Sequence, residues 1–152
     1  MEIAAFIAAP PERVWAVAQD PSRRVEWDQR VAVYEWLGPV GAGSEIRLVL
    51  RMGLIRPEAR GVMRRFVPPR QSAVQILEAS HLLVPVGAGS WTFEPVDGGT
   101  RFTTRFTLKT EALPWWVWRG GFRLAVWWDT WRSVRRLKRM VEGEARGAGL
   151  VG

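Results

Sequence analysis

Residues 113–146 read LPWWVWRGGFRLAVWWDTWRSVRRLKRMVEGEAR. Apolar side chains recur in this segment at steps of three and four, at Leu124, Trp127, Trp128, Trp131, Val134, Leu137 and Val141. This spacing places side chains on one side of an α-helix. It predicts one long amphipathic helix that has Pro114 in its first turn and ends near Gly147 and Gly149.

The helix pattern contains one weak point, the pair Gly120-Gly121. Each glycine costs about 1 kcal/mol relative to alanine inside a regular helix. We therefore expect either a kink at this pair or a helix that starts after it. Arginine is concentrated after Trp131, whereas the widest apolar side lies before it. This contrast predicts that the first half of the helix is buried and the second half is solvated.

The chain ahead of this helix is dominated by period-two patterns, which are typical of half-buried strands. We predict strands at residues 3–8, 31–37, 45–52, 58–66, 72–79, 90–96 and 100–110. Two short helices, beginning at Pro11 and Pro21, follow the first strand. The sequence Asp97-Gly98-Gly99 predicts a hairpin, and the short turns between strands predict an antiparallel meander.

These elements together predict an α+β fold. An antiparallel sheet of this kind has one apolar face, and the only element large enough to cover it is the C-terminal helix. We expect a curved antiparallel β-sheet of six to seven strands wrapped around the long C-terminal α-helix, with two short helices after the first strand. A chain of 152 residues fits one domain. We place that domain at residues 1–146 and expect a flexible tail at 147–152.

Composition narrows the classes of function. The chain has no cysteine and a single histidine, so a disulfide framework is excluded, and we expect no metal site and no cofactor. The net charge of +7 permits attraction to nucleic acid, but the arginines are spread along the whole chain, so a solvated surface is favoured. Arg119, Arg123 and Asp129 interrupt the tryptophan-rich segment 113–131. We therefore expect no membrane span and a soluble, cytoplasmic protein.

Three features allow two interpretations each. The hexapeptide PVGAGS occurs at residues 39–44 and 85–90, and we predict loops at a sheet rim rather than phosphate-binding turns, because strand residues follow both copies. His81 is interpreted as an ordinary rim histidine, with an acid or base role beside a cavity as the alternative. Glu26 and Asp28 are interpreted as helix-end residues, with a position at a cavity mouth as the alternative.

The ten tryptophans are the most unusual feature of the composition. Trp115, Trp116 and Trp118 are crowded at the helix entry, where three large rings cannot all face the core. Core packing with partial exposure is the simplest explanation. The functional alternatives, in order, are a ligand-cavity lining, a dimer contact, and an interfacial belt in which Arg119 and Arg123 meet lipid headgroups.

Several short motifs resemble a known family in the right order along the chain. Residues 6–15, FIAAPPERVW, followed by Asp20-Pro21 and by EWD at 26–28, are similar to the start of polyketide cyclase/dehydrase-like proteins of the START-like (helix-grip, SRPBCC) superfamily. Gly43-Ser44 and Gly99-Thr100 are further matches. The resemblance implies a sheet that grips a long helix around an apolar cavity. It also implies binding of lipids, sterols, polyketides, quinones or hormones, with catalysis in a minority of members and no universal catalytic motif.

Strand phase and helix face predict which residues face such a cavity. The candidates are Ile46, Leu48, Leu50, Trp91, Phe93, Phe102, Thr104, Phe106, Phe122 and Trp127. Apolar walls with a few polar groups suit a hydrophobic small molecule. Plain core packing explains each residue equally well, and tryptophans that point inward from the helix entry would reduce the cavity or fill it.

Three functions are compatible with these patterns. The first is noncatalytic binding, with transport or sequestration, of a hydrophobic or amphipathic small molecule such as a lipid, quinone or polyketide between sheet and helix. The second is a cyclase or dehydratase in which Thr104, His81 or an inward arginine polarises an enolisable ketone. The third is a membrane-surface or protein-interaction module that uses the Trp/Arg-rich helix entry. We expect an apolar ligand and no nucleic acid as partners, and leave peripheral membrane contact and a monomer or homodimer open.

Overall fold

The computed structural model describes residues 1–81, 84, 86–109 and 114–149. Its elements are β1 (Glu2–Ile7), α1 (Pro11–Ala18), α2 (Pro21–Trp27), β2 (Val31–Trp36), β3 (Glu45–Leu50), β4 (Glu58–Val67), β5 (Gln71–Ala79), β6 (Val86–Val96), β7 (Gly99–Lys109), α3 (Trp115–Val117), a π-helical turn (Trp118–Phe122) and α4 (Arg123–Gly149). The seven strands form an antiparallel sheet in the order β1-β7-β6-β5-β4-β3-β2, curled around α4. The predicted α+β fold is confirmed.

The two short helices begin at the predicted prolines. Pro11 and Pro21 occupy the first helical turns, and the Asp20 carboxylate accepts a hydrogen bond from the Ser22 N–H at 2.8 Å. This cap satisfies one of the free N–H groups at the start of α2. Helix α2 buries Arg24 beside Trp27, so a charged side chain lies in the interior.

The helix entry is divided into three segments rather than forming one regular helix. The π-helical turn contains both Gly120 and Gly121, so the expected irregularity lies at the predicted pair. A wider turn of this kind inserts one residue into the helical repeat and re-aims the side chains on either side of it. Helix α4 then continues through Gly149 and includes the first three residues of the segment expected as a tail. Residues 150–152 lie outside the described residues.

The burial of α4 is the reverse of the prediction. Its second half packs onto β1, α1 and α2, and its buried apolar residues are Val134, Leu137 and Val141. Its first half exposes Leu124, Trp127 and Trp128. The prediction was wrong because the arginines of the second half lie on its outer face and do not interrupt the apolar stripe beneath them.

Hydrogen bonds attach α4 to the N-terminal part of the chain. Lys138 Nζ donates to the Phe6 carbonyl at 2.6 Å, and the Ala8 N–H donates to Glu142 Oε1 at 3.0 Å. Nearer the helix entry, the Gln29 N–H donates to the Ser133 hydroxyl at 3.1 Å. These contacts fix the second half of α4 against the fold, while the first half spans the open side of the sheet.

The two PVGAGS copies have different structures. Residues 39–44 form a loop between β2 and β3, as predicted, and Gly43 has a φ of 89°. The loop predicted at 85–90 is wrong for its described part, because β6 begins at Val86. Gly89 is opposite Phe106 of β7, and a Cβ atom on Gly89 would lie 3.1 Å from the Phe106 ring. Glycine therefore lets the two strands pair beside an inward aromatic side chain.

Candidate functional site

A cavity of about 440 Å³ lies between the inner face of the sheet and the first turns of α4. Its apolar wall is formed by Val31, Ile46, Leu48, Leu50, Met52, Ile55, Ala59, Val74, Ile76, Val84, Trp91, Phe106, Phe122, Ala125 and Val126. The exposed lining residues Gly53, Ile55, Ala125 and Asp129 place the mouth between the β3–β4 connection and α4. The volume is within the range typical of small-molecule sites.

Six of the ten predicted cavity-facing residues line this space. They are Ile46, Leu48, Leu50, Trp91, Phe106 and Phe122. The three β3 residues alternate with Arg47 and Val49, the period-two arrangement of a strand with one face toward the interior. Contact of these residues with a ligand stays a prediction.

The other four candidates do not line the cavity. Phe93 and Phe102 form an edge-to-face pair at 5.2 Å and pack against Trp15 and Trp27 of the two short helices. These helices cover one end of the inner sheet face, whereas the cavity occupies the other end. Strand phase identifies the inner face but not the position along the strand, and for this reason Phe93 and Phe102 belong to the core.

Thr104 and Trp127 lie away from the cavity in different surroundings. Thr104 is buried opposite Trp91 in the β6–β7 register, and the much larger Trp91 side chain forms the cavity wall at this position. Trp127 stacks on Trp131 at 6.4 Å and is 38% exposed on the outer side of α4. Ala125 and Val126 line the cavity in its place.

The cavity wall contains a charged cluster that the sequence patterns did not predict, although they left a position at a cavity mouth open for Asp28. Asp28, the residue that caps the C-terminus of α2, accepts two hydrogen bonds from the Arg30 guanidinium group, from Nε to Oδ1 at 2.9 Å and from Nη2 to Oδ2 at 3.0 Å. Arg30 Nη1 donates to the Thr130 hydroxyl of α4 at 3.0 Å. Arg24 Nη2 lies 3.7 Å from Asp28 Oδ2. Asp28 is thus both a helix-end residue and part of the cavity wall.

Burial and pairing act in opposite directions on these groups. Burial raises the pKa of Asp28, but the nearby Arg30 and Arg24 guanidinium groups outweigh it and hold the pKa below its ordinary value. Burial lowers the pKa of Arg24, and Asp28 opposes that shift. Burial also raises the pKa of Tyr34, another lining residue, so its phenol stays neutral at physiological pH. The cluster therefore contains two cations and one carboxylate.

Aromatic rings surround Arg24. Its guanidinium carbon lies 4.1 Å from the Trp91 ring centre, 5.0 Å from that of Trp27 and 5.3 Å from that of Tyr34. Each distance is within the range of a cation–π interaction. The rings restrict where the guanidinium group can point and separate it from solvent.

The outer side of the first half of α4 carries an aromatic surface, which we call the Trp ridge and define as Leu124, Trp127, Trp128 and Trp131. The first three residues are exposed, and Trp131 is half-buried against the core. Trp128 stacks on Trp131 at 5.1 Å, and the Arg135 guanidinium lies 4.7 Å from the Trp131 ring centre. The ridge faces away from the cavity. The side chains of Trp115 and Trp118 lie outside the described residues.

His81 is exposed at the end of β5 and does not line the cavity. Within the described residues, no cluster of three or more His, Cys, Asp or Glu side chains could hold a metal ion. No helix among them is long and apolar enough to cross a membrane.

A curled antiparallel sheet that grips a long helix around an apolar cavity defines a helix-grip protein. The family described as "Polyketide cyclase / dehydrase and lipid transport" matches residues 1–142, so the chain belongs to this family. The sequence resemblance is thereby confirmed. A search of curated protein sequences gives no match.

Solved structures share the fold at low sequence identity. The ZhuI aromatase/cyclase from a Streptomyces species superposes with a TM-score of 0.82 at 19% identity, covering 98% of this chain and 96% of that chain. A protein of Thermus thermophilus gives 0.71 at 21% identity, covering 97% of both chains. The di-domain ARO/CYC StfQ from the steffimycin biosynthetic pathway gives 0.72 at 17% identity, covering 96% of this chain and 46% of that one. These similarities concern the fold alone.

Proposed function

We propose that the protein binds an apolar or amphipathic small molecule, such as a lipid, quinone or polyketide, in the cavity between the sheet and α4. The observation that carries the proposal is a cavity of about 440 Å³ with a largely apolar wall and one compact polar cluster. Sites of this kind bury most of a small ligand and use a few polar groups to orient it. The family description and the aromatase/cyclase neighbours support the same class of ligand.

We favour binding over cyclase or dehydratase activity because of the state of the titratable groups. General acid or base catalysis needs a group that can exchange a proton near the working pH. Asp28 stays ionised with both oxygens engaged by Arg30, and Tyr34 stays protonated. Of the groups suggested for the enzyme, Thr104 and His81 do not line the cavity, whereas an inward arginine is present as Arg24. A cyclase could use Arg24 to polarise a ketone, but the only carboxylate besides Asp28 among the described lining residues is Asp129 at the mouth.

The first experiment is native mass spectrometry of gently purified protein, followed by denaturing extraction. A stoichiometric apolar molecule that is released on denaturation supports the proposal and names its chemical class. Protein that is free of small molecules and also fails to take up the uncharged dye phenylnaphthylamine contradicts it.

Two neighbouring variants test the location of binding. Ala125→Trp places a large ring at the mouth of the cavity, and we expect it to reduce dye uptake at least tenfold, which corresponds to about 1.4 kcal/mol. Leu124→Trp adds the same ring one residue away on the Trp ridge, where Leu124 is 65% exposed, and should leave uptake unchanged. Equal effects of the two variants would place the dye outside the cavity.

A second candidate function is contact with an anionic membrane surface through the Trp ridge. Tryptophan prefers the membrane interface, and arginine is attracted to anionic headgroups. Residues 114–139 contain a single acidic residue, Asp129, and it lines the cavity on the other side of α4. The exposed arginines beside the ridge are Arg123, Arg132, Arg135 and Arg139. The surface therefore combines exposed rings with positive charge.

Vesicle sedimentation tests this candidate. The protein should pellet with vesicles that contain phosphatidylglycerol and remain in solution with pure phosphatidylcholine, and Leu124→Ala combined with Trp128→Ala should abolish pelleting. Ala125→Trp, which changes the cavity side of the same helix, is the control and should still pellet. If the double variant instead converts a dimer to a monomer in analytical ultracentrifugation, the ridge is a dimer contact.

A further inference from the structure

We propose that Arg24 anchors an anionic oxygen of the ligand, so that the molecule bound in the cavity is an amphipathic acid rather than a neutral hydrophobic compound. The inference rests on the proposed function, because it concerns the same cavity. It adds the charge of the ligand and the side chain that recognises this charge.

Arg24 lies in the cavity wall with two hydrogen-bond donors that are unpaired among the described residues. Arg24 lines the cavity and is only 3% exposed. Its Nε and Nη1 atoms have no hydrogen-bond partner within the described part of the chain. Buried N–H groups are almost always paired in proteins, and a charged donor left unpaired is especially unfavourable. A ligand acceptor in the cavity can supply the missing partner.

The positive charges around Arg24 outnumber the carboxylates that pair with them. Asp28 is the carboxylate nearest to Arg24, but both of its oxygens already accept hydrogen bonds from Arg30. The separation of 3.7 Å between Arg24 Nη2 and Asp28 Oδ2 is too long for a hydrogen bond. Two guanidinium groups and one carboxylate leave one positive charge without a matching anion in the buried wall. An anionic ligand group would neutralise it.

Three aromatic rings surround the Arg24 guanidinium group. The Trp91, Trp27 and Tyr34 rings lie 4.1 to 5.3 Å from its guanidinium carbon and hold it in place. Ring faces attract the cation but cannot replace an in-plane oxygen acceptor for Nε and Nη1. Trp91 also lines the cavity, and its indole Nε1 atom is buried without a partner in the described residues. The wall therefore offers donors from two neighbouring side chains.

The test uses two dyes that differ in one acidic group. Anilinonaphthalene sulfonate carries a sulfonate, and phenylnaphthylamine is the same scaffold without it. We expect the wild-type protein to bind the sulfonate dye about tenfold or more tightly, the scale of a charge-assisted hydrogen bond. Arg24→Gln should remove this preference by lowering the affinity for the sulfonate dye toward that for phenylnaphthylamine. Arg24→Lys, which keeps the charge, should retain part of the preference.

The matched control is Arg23→Gln. Arg23 is the preceding residue on α2, pairs with Glu144 outside the cavity, and loses the same positive charge on substitution. It should leave both affinities unchanged. Equal loss of sulfonate-dye affinity in Arg23→Gln and Arg24→Gln would mean that general surface charge attracts the dye, and it would overturn the anchor.

The outcomes separate the anchor from the binding proposal. If wild-type protein binds both dyes with equal affinity, or if Arg24→Gln keeps the wild-type preference, the anchor is refuted while cavity binding stands. If neither dye binds, the proposed function and the anchor both fail. The comparison of the two dyes on wild-type protein needs no variant, so misfolding of Arg24→Gln does not block the test.

Discussion

Substitution of Asp28 by asparagine tests the charged cluster most directly. Asp28 is 1% exposed and is the carboxylate to which both Arg24 and Arg30 are paired. An asparagine side chain has nearly the same shape as aspartate but no charge, so the buried Arg24 and the half-buried Arg30 guanidinium groups would lose their counter-ion. The variant therefore changes the electrostatics of the cavity wall with little change in packing.

The expected loss follows from the burial of the pair. Removing one partner of a buried ion pair typically costs about 3–5 kcal/mol, and an asparagine carbonyl that still accepts from Arg30 favours the lower end. For a domain of this size, 1 kcal/mol corresponds to about 2–4 °C in melting temperature. We expect Asp28→Asn to lose about 3 kcal/mol of unfolding free energy and about 6–12 °C in melting temperature.

Urea unfolding followed by tryptophan fluorescence measures this loss. The control is Glu94→Gln, since Glu94 and Arg101 form an ion pair in which both side chains are about 60% exposed, and such pairs contribute about 0–1 kcal/mol. Equal losses in the two variants would show that the buried cluster has no special electrostatic role. Full stability of Asp28→Asn would refute the argument that this carboxylate neutralises the arginines.

The pH dependence of the same difference gives an independent check. The pKa of Asp28 is lowered in the folded protein, so its contribution is present above the unfolded value of about 3.9 and is lost as the pH falls through the folded value. The gap in unfolding free energy between wild type and Asp28→Asn should therefore be full at neutral pH and shrink below about pH 4. A gap that grows on acidification would contradict the assigned direction.

Substitution by alanine should have opposite effects on the free energy of unfolding at two glycines, Gly61 and Gly143. Gly61→Ala should destabilise by about 1–3 kcal/mol, because its Cβ would lie 2.7 Å from the backbone carbonyl oxygen of Gln75 in the neighbouring strand. Gly143→Ala should stabilise by about 0.5–1 kcal/mol, because Gly143 is helical and nothing lies within 4 Å of the added atom. Both values come from chemical denaturation at neutral pH. Equal effects would contradict the described packing.

Periodicity predicted the fold because it reports which side of an element faces the interior. Ile46 and Leu48 alternate with charged neighbours along β3, and the spacing of Val134 and Leu137 marks the packed stripe of α4. The same periodicity did not predict the beginning of β6 at Val86. Gly87 and Gly89 have no side chains to alternate, so the strand resembled a loop. Cross-strand pairing, which the local sequence does not encode, decides this segment.

The charged cluster was harder to predict for a different reason. Arg24 lies in a helix with Arg23 and Glu26, a composition that is typical of a solvated surface. Asp28 follows the last residue of α2, at a helix end where a charged side chain is ordinarily solvated. Only the packing of α2 against the sheet brings both residues into the interior. The sequence contained one signal of this burial. Arg24 lies three residues before Trp27, so the two side chains share one face of α2, and a charged residue on the face that buries a tryptophan is unusual for an amphipathic helix.

The positions of the tryptophans explain how a cavity persists in so aromatic a chain. Trp27 packs in the core, Trp91 forms one wall of the cavity, and the Trp ridge points away from it. Gly89, beside Trp91 and Phe106, keeps the adjoining part of β6 free of a side chain. Unfilled apolar volume is destabilising, so a chain that needed only a core would be expected to fill this space. The outward tryptophans and the inward glycine therefore support a binding role for the cavity.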